Sequence, residues 1–186
     1  MSYLEFTVLL YLIISYIDKN ECVNPMKLIT SIFASALLPL LLSQVAHAEL
    51  KTEYVMSLDI ANTMARNVMQ SCQSKAAAVV VLDQGGNVIA SQRHESVGPH
   101  NLIAAQRKAF TAYSSKNSTL DFMRNAQKNP DAQNLNTLPE LLLLGGGVPV
   151  MYKKQLLGAV GVAGSGGSEQ DHNCANQGIQ TTLNSL

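Results

Sequence analysis

Three of the four histidines in this sequence, His94, His100 and His172, lie within residues 49–186, and they have the most versatile side-chain chemistry there. Imidazole changes charge near neutral pH and is the commonest protein ligand for metals. No fixed His-x-x-His or Cys-x-x-Cys spacing surrounds these histidines, so the sequence does not predict a tightly bound metal ion. Taken one at a time, each histidine is interpreted as a surface residue.

Two glycine-rich strings resemble nucleotide-binding loops at first sight. Gly145–Pro149 lacks the Gly-Lys-Ser/Thr ending and precedes a predicted strand rather than a helix, which excludes a phosphate-binding loop. Gly158, Gly161 and Gly164 do not have the G-x-G-x-x-G spacing. We therefore expect no nucleotide cofactor. Glycine permits close backbone approach, so residues 145–148 either pack tightly, the favoured interpretation, or line a ligand pocket.

A hydrolase constellation is also not predicted. Ala163–Gly167 departs from the nucleophile-elbow pattern at its first glycine. Asp171 and His172 are adjacent, and adjacent residues on a helix point in different directions, so the carboxylate cannot orient the imidazole. Glu169 and Asp171 follow Ser168, where acidic side chains suit the first turn of a helix. Stabilisation of that helix explains the acids, and a pocket role is the alternative.

Length and composition favour one folded domain and exclude nucleic acid as a partner. The chain has 186 residues, of which 47% are hydrophobic and 14% are charged. The 13 basic and 13 acidic side chains cancel, so there is no positive field to hold a phosphate backbone. The absence of Trp and an aromatic content of 5% argue against a stacking platform for bases.

The N-terminal region contains the parts of a secretory signal peptide. An apolar run, Leu28–Val45, follows Met26-Lys27 and ends in Ala46-His47-Ala48, which is typical of a cleavable signal. Residues 26–48 are therefore predicted to be removed during export to the periplasm or the medium, with a membrane anchor as the alternative. Residues 1–25 are interpreted as an upstream extension of the reading frame.

The remaining residues, 49–186, alternate between helix and strand signals. Apolar residues at three- and four-residue spacing after Ser57 predict a helix, and Ala77–Leu82 and Val88–Gln92 predict a hairpin. Asn129–Pro139 is interpreted as a surface loop or lid. Further predicted elements are helices over 100–115, 118–129 and 168–184, and strands over 140–144, 148–152 and 155–163. The order α-β-β-α-(α)-β-β-β-α predicts a single α+β domain with an antiparallel sheet of five strands flanked by helices.

Five strings occur in one order along residues 57–180, and together they are specific although each alone is weak. They are Leu58–Ala61, Val81–Asn87, Arg107–Ala112, Gly145–Val150, and Leu157–Val162 leading to Gly164 and Glu169–Asp171. In this order they resemble the GlcG/HbpS family, which also forms the C-terminal part of some cobalamin adenosyltransferases. The resemblance implies a five-stranded antiparallel sheet with flanking helices, usually in a homo-oligomer.

The resemblance also implies an exported haem-binding protein, with haem as cofactor and partner. In such proteins haem binding is sometimes accompanied by slow, oxygen-dependent haem degradation or by redox sensing. Other members are linked to glycolate or propanediol metabolism, so an enzyme or sensor for a small carboxylate or carbonyl metabolite is the alternative. A further alternative is an oligomeric structural partner of a membrane sensor protein.

The same resemblance directs attention to the helix that contains Arg107–Ala112. Arg107 and Lys108 are expected to pair with haem propionates, because cations bind carboxylates well. His100 and Thr111 are the candidates for contact with haem iron. The full set of candidate cofactor-binding residues is His100, Arg107, Lys108, Thr111, Gly146, Gly147 and Glu169. No catalytic residue is assigned.

Cys72 and Cys174 are the cysteines that remain in residues 49–186. In the arrangement that the resemblance implies, the first and last helices cover the same face of the sheet, which can bring the sulfur atoms together. An exported protein meets an oxidising compartment, where a disulfide persists. We therefore predict a Cys72–Cys174 disulfide, with two separate buried thiols as the alternative.

We predict cleavage after Ala48, because the apolar run ends there in small residues at alternate positions. Intact mass spectrometry of protein recovered from the periplasm or the medium should give the mass of residues 49–186. A mass that retains residues 26–48 would contradict export by cleavage and favour the membrane anchor.

Overall fold

The computed structural model describes residues 50–73 and 76–186. The predicted upstream extension and signal peptide therefore lie outside the described residues. The helices are α1 (Leu58–Ser71), α2 (His100–Ser115), α3 (Thr119–Lys128) and α4 (Ser168–Leu183), and the strands are β1 (Ala78–Leu82), β2 (Val88–Arg93), β3 (Gly147–Tyr152) and β4 (Gln155–Ala163). Within the described ranges, no helix is long and apolar enough to cross a membrane.

The strands form one antiparallel sheet in the order β2-β1-β4-β3. β1 and β4 are its central pair, with Ala78 opposite Ala163 and Leu82 opposite Ala159. Two hairpins flank this pair. The β3–β4 hairpin turns at Lys153 and Lys154, whose φ angles of 45° and 68° place both residues in the left-handed region, as a type I′ two-residue hairpin turn requires.

The sheet of the described chain has four strands, so the predicted fifth strand is wrong. Residues 140–144 do not pair with a neighbouring strand, because their backbone N–H and carbonyl groups form hydrogen bonds with side chains of α2 and α3. Arg107 donates to the Leu141 carbonyl at 2.7 Å, and the Leu142 N–H donates to Thr111 Oγ1 at 2.8 Å. The Thr119 hydroxyl donates to the Leu144 carbonyl at 2.7 Å. The apolar run of leucines instead connects α3 to β3 along the surface of these helices.

The other predicted elements are close to those observed. α2 and β4 have the predicted bounds, and α1 begins after Ser57, whose hydroxyl caps it by accepting from the Ile60 N–H at 3.3 Å. The predicted surface loop at 129–139 contains a 3-10 helix, Pro130–Thr137. Ser168 is the first residue of α4 rather than its cap, because the cap position belongs to Gly167 with a φ of 124°.

Two hydrophobic clusters lie on opposite faces of the sheet. Alternation along β1 sends Val79 and Val81 to the face covered by α1 and α4, and Val80 and Leu82 to the face covered by α2. The α2 side is built from small residues, since Ala105, Ala109 and Ala112 are all fully buried. Gly161 of β4 lies directly under α2, where an added Cβ would overlap the Ala105 carbonyl. α2 therefore packs almost backbone to backbone against the sheet.

α1 and α4 cover the same face, as the disulfide prediction requires. Cys72 follows the last residue of α1 and Cys174 lies in the second turn of α4, and their Cα atoms are 4.8 Å apart. This separation is within the range of natural disulfides, and the structure pairs the two sulfur atoms. The pairing joins residues 102 positions apart in the sequence. Its oxidation in the exported protein remains a prediction.

We expect Cys72→Ala/Cys174→Ala to lower the free energy of unfolding by up to about 4–5 kcal/mol, because the bond closes a loop of 102 residues in the unfolded chain. Urea unfolding of the oxidised protein and of the double variant measures the difference. Unreduced, denatured protein should also resist alkylation. Two freely alkylated thiols would rule the bond out.

Candidate functional site

Helix α2 divides its residues between the interior and the surface. Ala105, Lys108, Ala109, Thr111 and Ala112 are buried against the sheet and the neighbouring segments. At 3.6 residues per turn, Ile103, Arg107 and Phe110 fall on an adjoining, outward face. Ile103 is 64% exposed, which is high for an isoleucine. One side of the helix is therefore closely packed against the sheet. The other side exposes apolar residues around a central cation, Arg107.

Lys108 lies in the interior, with 4% of its surface exposed. Its ammonium group donates to Asp171 Oδ2 at 2.8 Å and to the Val162 carbonyl at 3.0 Å. Asp171 Oδ1 accepts from the Ser165 N–H at 2.9 Å and from the Ser165 hydroxyl at 2.6 Å. Partners on both sides compensate for the loss of water around the two charges. Lys108 is therefore part of an internal ion pair between α2 and α4 and does not face a surface pocket.

Thr111 is fully buried, and its hydroxyl already makes two hydrogen bonds. It donates to the Arg107 carbonyl at 2.8 Å and accepts from the Leu142 N–H at 2.8 Å. Iron contact through this oxygen would require the 140–144 segment to move away. The structure therefore assigns both hydrogen bonds of this hydroxyl to protein partners, and its contact with iron stays a prediction.

Gly146 and Gly147 are buried at the entry to β3, beneath α2. A Cβ on Gly146 would overlap the Val162 carbonyl and stand 2.8 Å from the Cβ of Asp171. A Cβ on Gly147 would overlap the Lys108 carbonyl. These contacts favour the packing interpretation of the glycine-rich string, because the space that a side chain would need is filled by backbone rather than open to a ligand.

A pocket of about 300 Å³ opens on the outward face of α2. Its floor is the helix, one wall is the β1–β2 hairpin, and the rim opposite is the segment that follows the 3-10 helix. The lining residues are Leu82, Gly86, Ile103, Gln106, Arg107, Phe110 and Glu140. Most of this surface is apolar, with one cation and one carboxylate.

Arg107 is the residue in this pocket with unused hydrogen-bonding capacity. One Nη donates to the Leu141 carbonyl at 2.7 Å, which fixes the guanidinium group against the rim. Its Nε is buried and has no hydrogen-bond partner among the described residues. A buried donor without a partner is unfavourable. The other Nη also has no partner among the described residues but is not buried, so it is the donor that a ligand carboxylate would reach, and guanidinium groups bind carboxylates well.

His100 and Glu169 do not line this pocket. His100 is exposed at the first residue of α2, about 10 Å along the helix from Arg107. Glu169 lies on α4 and forms an exposed ion pair with Arg124 of α3. The candidate residues therefore separate into an interior group, Arg107 in the pocket, His100 at the exposed start of α2, and Glu169 in an ion pair at the α3–α4 contact. Within the described ranges, no group of three or more His, Cys, Asp or Glu side chains could hold a metal ion.

His172 lies beside the Arg124–Glu169 pair. Its Nε2 is 2.8 Å from the Asn176 amide, and its Nδ1 is buried without a partner among the described residues. Burial lowers the pKa of His172, while the carboxylates of Asp121 and Glu169 raise it and Arg124 lowers it. Since burial is the largest of these effects, the neutral imidazole is favoured in the folded protein.

The family model described as haem degrading protein HbpS-like matches residues 56–180. The chain belongs to the HbpS-like family. Protein GlcG of Escherichia coli strain K12 is 30% identical over 116 residues, which are 61% of this chain and 85% of GlcG. The family match over residues 56–180 spans α1 to most of α4 and therefore includes both the internal ion pair and the Arg107 pocket.

Solved structures agree with this membership. The crystal structure of HbpS superimposes with a TM-score of 0.65 at 29% identity, covering 74% of this chain and 96% of HbpS. A crystal structure of a PduOC:heme complex superimposes with a TM-score of 0.60, covering 68% of this chain and 94% of PduOC. At 21% identity, the second similarity shows a shared fold.

Several residues of the α2 pocket and of the internal ion pair were not singled out from the sequence. Ile103 and Phe110 line the pocket, and their spacing relative to Arg107 was a usable signal in the sequence. Two large apolar residues on the same helical face as Arg107 indicate an exposed apolar surface with a central cation. Glu140 was missed because it was assigned to a strand. Asp171 was interpreted as a helix-start acid, and no local pattern pairs it with Lys108.

We expect Lys108→Met to lower the free energy of unfolding by about 3–5 kcal/mol, because it leaves the Asp171 carboxylate buried without its cation. Lys108→Met/Asp171→Asn removes both charges and should recover most of that loss. Urea unfolding compares both variants with Lys128→Met, an exposed lysine at the end of α3 that should change little. A loss below about 1 kcal/mol for the single variant would contradict a buried ion pair.

The lowered pKa of His172 predicts a stability that falls in acid. Below its ordinary value of 6.5, the unfolded chain protonates this histidine before the folded chain does, so stability declines as the pH falls from 6.5 towards the folded value. Above pH 6.5 the contribution is fully present. His172→Gln should reduce the difference in unfolding free energy between pH 7.5 and pH 5, whereas His100→Gln serves as the matched control. An unchanged difference would be inconsistent with the burial of His172.

Proposed function

We propose that this chain binds haem on the outward face of α2, with a haem propionate at Arg107. Membership in a family described as haem-degrading supports the ligand. The shared fold with PduOC, which was crystallised as a haem complex, is consistent with it. The observation that carries the location is the Arg107 Nη that has no partner among the described residues and is not buried, on a residue that lines a mostly apolar pocket.

The lining residues suit the two kinds of surface that haem presents. Leu82, Ile103 and Phe110 offer apolar contact to the macrocycle, and burial of this exposed apolar surface would favour binding. Arg107 offers charge-assisted hydrogen bonds to a propionate. Lys108 and Thr111 are not included, because their polar atoms are already bonded in the interior. His100 remains a candidate for iron contact from the exposed end of the same helix.

The chain's own residues would bind and orient the haem rather than transform it. When bound, haem supplies an iron centre that can react with oxygen. Arg107 would fix the orientation of the macrocycle, and the apolar lining would exclude water from one of its faces. Slow, oxygen-dependent degradation of the bound haem is part of this proposal. Export to the periplasm or the medium, self-association and contact with a membrane sensor are proposed with it.

A second candidate function is binding of a small carboxylate metabolite at the same pocket. The volume of about 300 Å³ favours it, since this is the lower end of the range for ligand pockets and is filled by a small acid. In that case Arg107 would bind the carboxylate, and Glu140 at the rim would accept from a hydroxyl or ammonium group of the ligand.

Hemin titration followed by absorption spectroscopy tests the proposal. We expect a saturable change in the Soret band, weakened about 10- to 100-fold by Arg107→Ala, because a hydrogen bond to a charged group contributes about 1.5–3 kcal/mol. Arg66→Ala is the matched control, since Arg66 is an exposed arginine on α1, on the opposite face of the sheet. No saturable change would contradict haem binding, and a calorimetric response to small carboxylates alone would support the second candidate.

A further inference from the structure

The pocket on α2 contains none of the side chains that usually bind haem iron. Proteins hold haem iron through His, Cys, Met or Tyr side chains. The lining consists of three apolar side chains, a glycine, an amide, a cation and a carboxylate. The Tyr113 ring lies next to Gly86, but its hydroxyl donates to the Gln84 carbonyl at 2.8 Å. This hydroxyl therefore stabilises the β1–β2 hairpin that forms one wall of the pocket. The recognition chemistry on this surface is therefore directed to carboxylates and apolar faces.

We propose that this pocket recognises tetrapyrroles through a propionate and the apolar face of the macrocycle, independently of the metal. The inference rests on the proposed haem function and names its ligand class. Metal-free protoporphyrin IX would bind as haem does. An opened tetrapyrrole that keeps its propionates would bind at the same place, because ring opening leaves the carboxylates in place.

Arg107 is the group on which this selectivity depends. Its guanidinium group is fixed by the Leu141 carbonyl before a ligand arrives, so little conformational freedom is lost on binding. Its other Nη, which is not buried and has no partner among the described residues, is the donor that a propionate oxygen would reach. A methyl ester keeps the macrocycle but removes the negative charge, and it therefore isolates the contribution of the carboxylate.

Glu140 limits how many carboxylates enter. It is exposed at the rim, in the same lining as Arg107, and its negative charge opposes a second propionate there. The pocket is therefore expected to hold one propionate and to leave the other in solvent. Glu140→Gln should tighten the binding of hemin and of protoporphyrin IX alike.

The test compares three probes on the full exported protein: hemin, protoporphyrin IX and protoporphyrin IX dimethyl ester, by absorption and fluorescence titration. Hemin and protoporphyrin IX should bind with dissociation constants within about 3-fold of each other, and the ester about 10- to 100-fold more weakly. Arg107→Ala should weaken both acids and abolish their advantage over the ester. His100→Ala should leave protoporphyrin IX binding unchanged.

A second variant keeps the test valid if Arg107→Ala loses binding only because it fails to fold. Ile103 is 64% exposed, so Ile103→Asp should leave the thermal transition unchanged while it places a charge on the apolar lining and weakens all three probes. Hemin binding with protoporphyrin IX more than 10-fold weaker would overturn metal independence but leave the haem function standing. Failure of hemin itself to bind would overturn the haem function. Equal binding of the ester and the acids would overturn the role of the propionate.

Discussion

The buried pair between Lys108 and Asp171 is the interaction on which the arrangement of the other elements depends. It joins α2, on one face of the sheet, to α4, which packs on the other, and the Val162 carbonyl of β4 takes part between them. Both charges are almost fully removed from water, so the pair is favourable only while every partner stays in place. Ser165 completes the carboxylate's hydrogen bonds and so fixes the glycine-rich turn before α4.

The pair also fixes the rotation of α2. When Lys108 points inward, Arg107 is turned by about 100° to the adjoining face of the helix. Ile103 and Phe110 then flank Arg107 on the outside, and the pocket is formed by that face together with Glu140 and the β1–β2 hairpin. The internal pair and the external pocket are therefore two consequences of one helix orientation. Arg107 faces the pocket on α2 because Lys108, the next residue, is turned into the interior.

Close backbone packing explains why this helix orientation is so well defined. The alanines of α2 and Gly161 of β4 allow the helix and the sheet to approach until an added Cβ would overlap a carbonyl. Gly178 plays the same part where α4 crosses α1, next to Val68. Interfaces of this kind tolerate little sliding or rotation, because any shift brings backbone atoms into contact. The disulfide between α1 and α4 joins the same two helices covalently.

Local patterns in the sequence determined most of the elements. The start of α1 after Ser57, the β1–β2 hairpin and the bounds of α2 and β4 follow from residue types and spacing, and the structure has them. The family followed from five strings in order, and the match over residues 56–180 agrees with it. These features depend on neighbours within a few residues, which a sequence displays directly.

Only the tertiary structure shows that residues 140–144 do not form a strand, and that the adjacent cations Arg107 and Lys108 have separate roles. The leucine-rich run has the composition of a strand, but its backbone groups bond to Arg107, Thr111 and Thr119 on distant helices. Arg107 and Lys108 were equivalent by sequence, both as partners of a carboxylate. Lys108 binds a carboxylate of its own chain 63 residues away, whereas Arg107 lines a surface pocket with one Nη unpaired among the described residues. The difference lies in which face of α2 the sheet and α4 cover, and no local pattern contains that information.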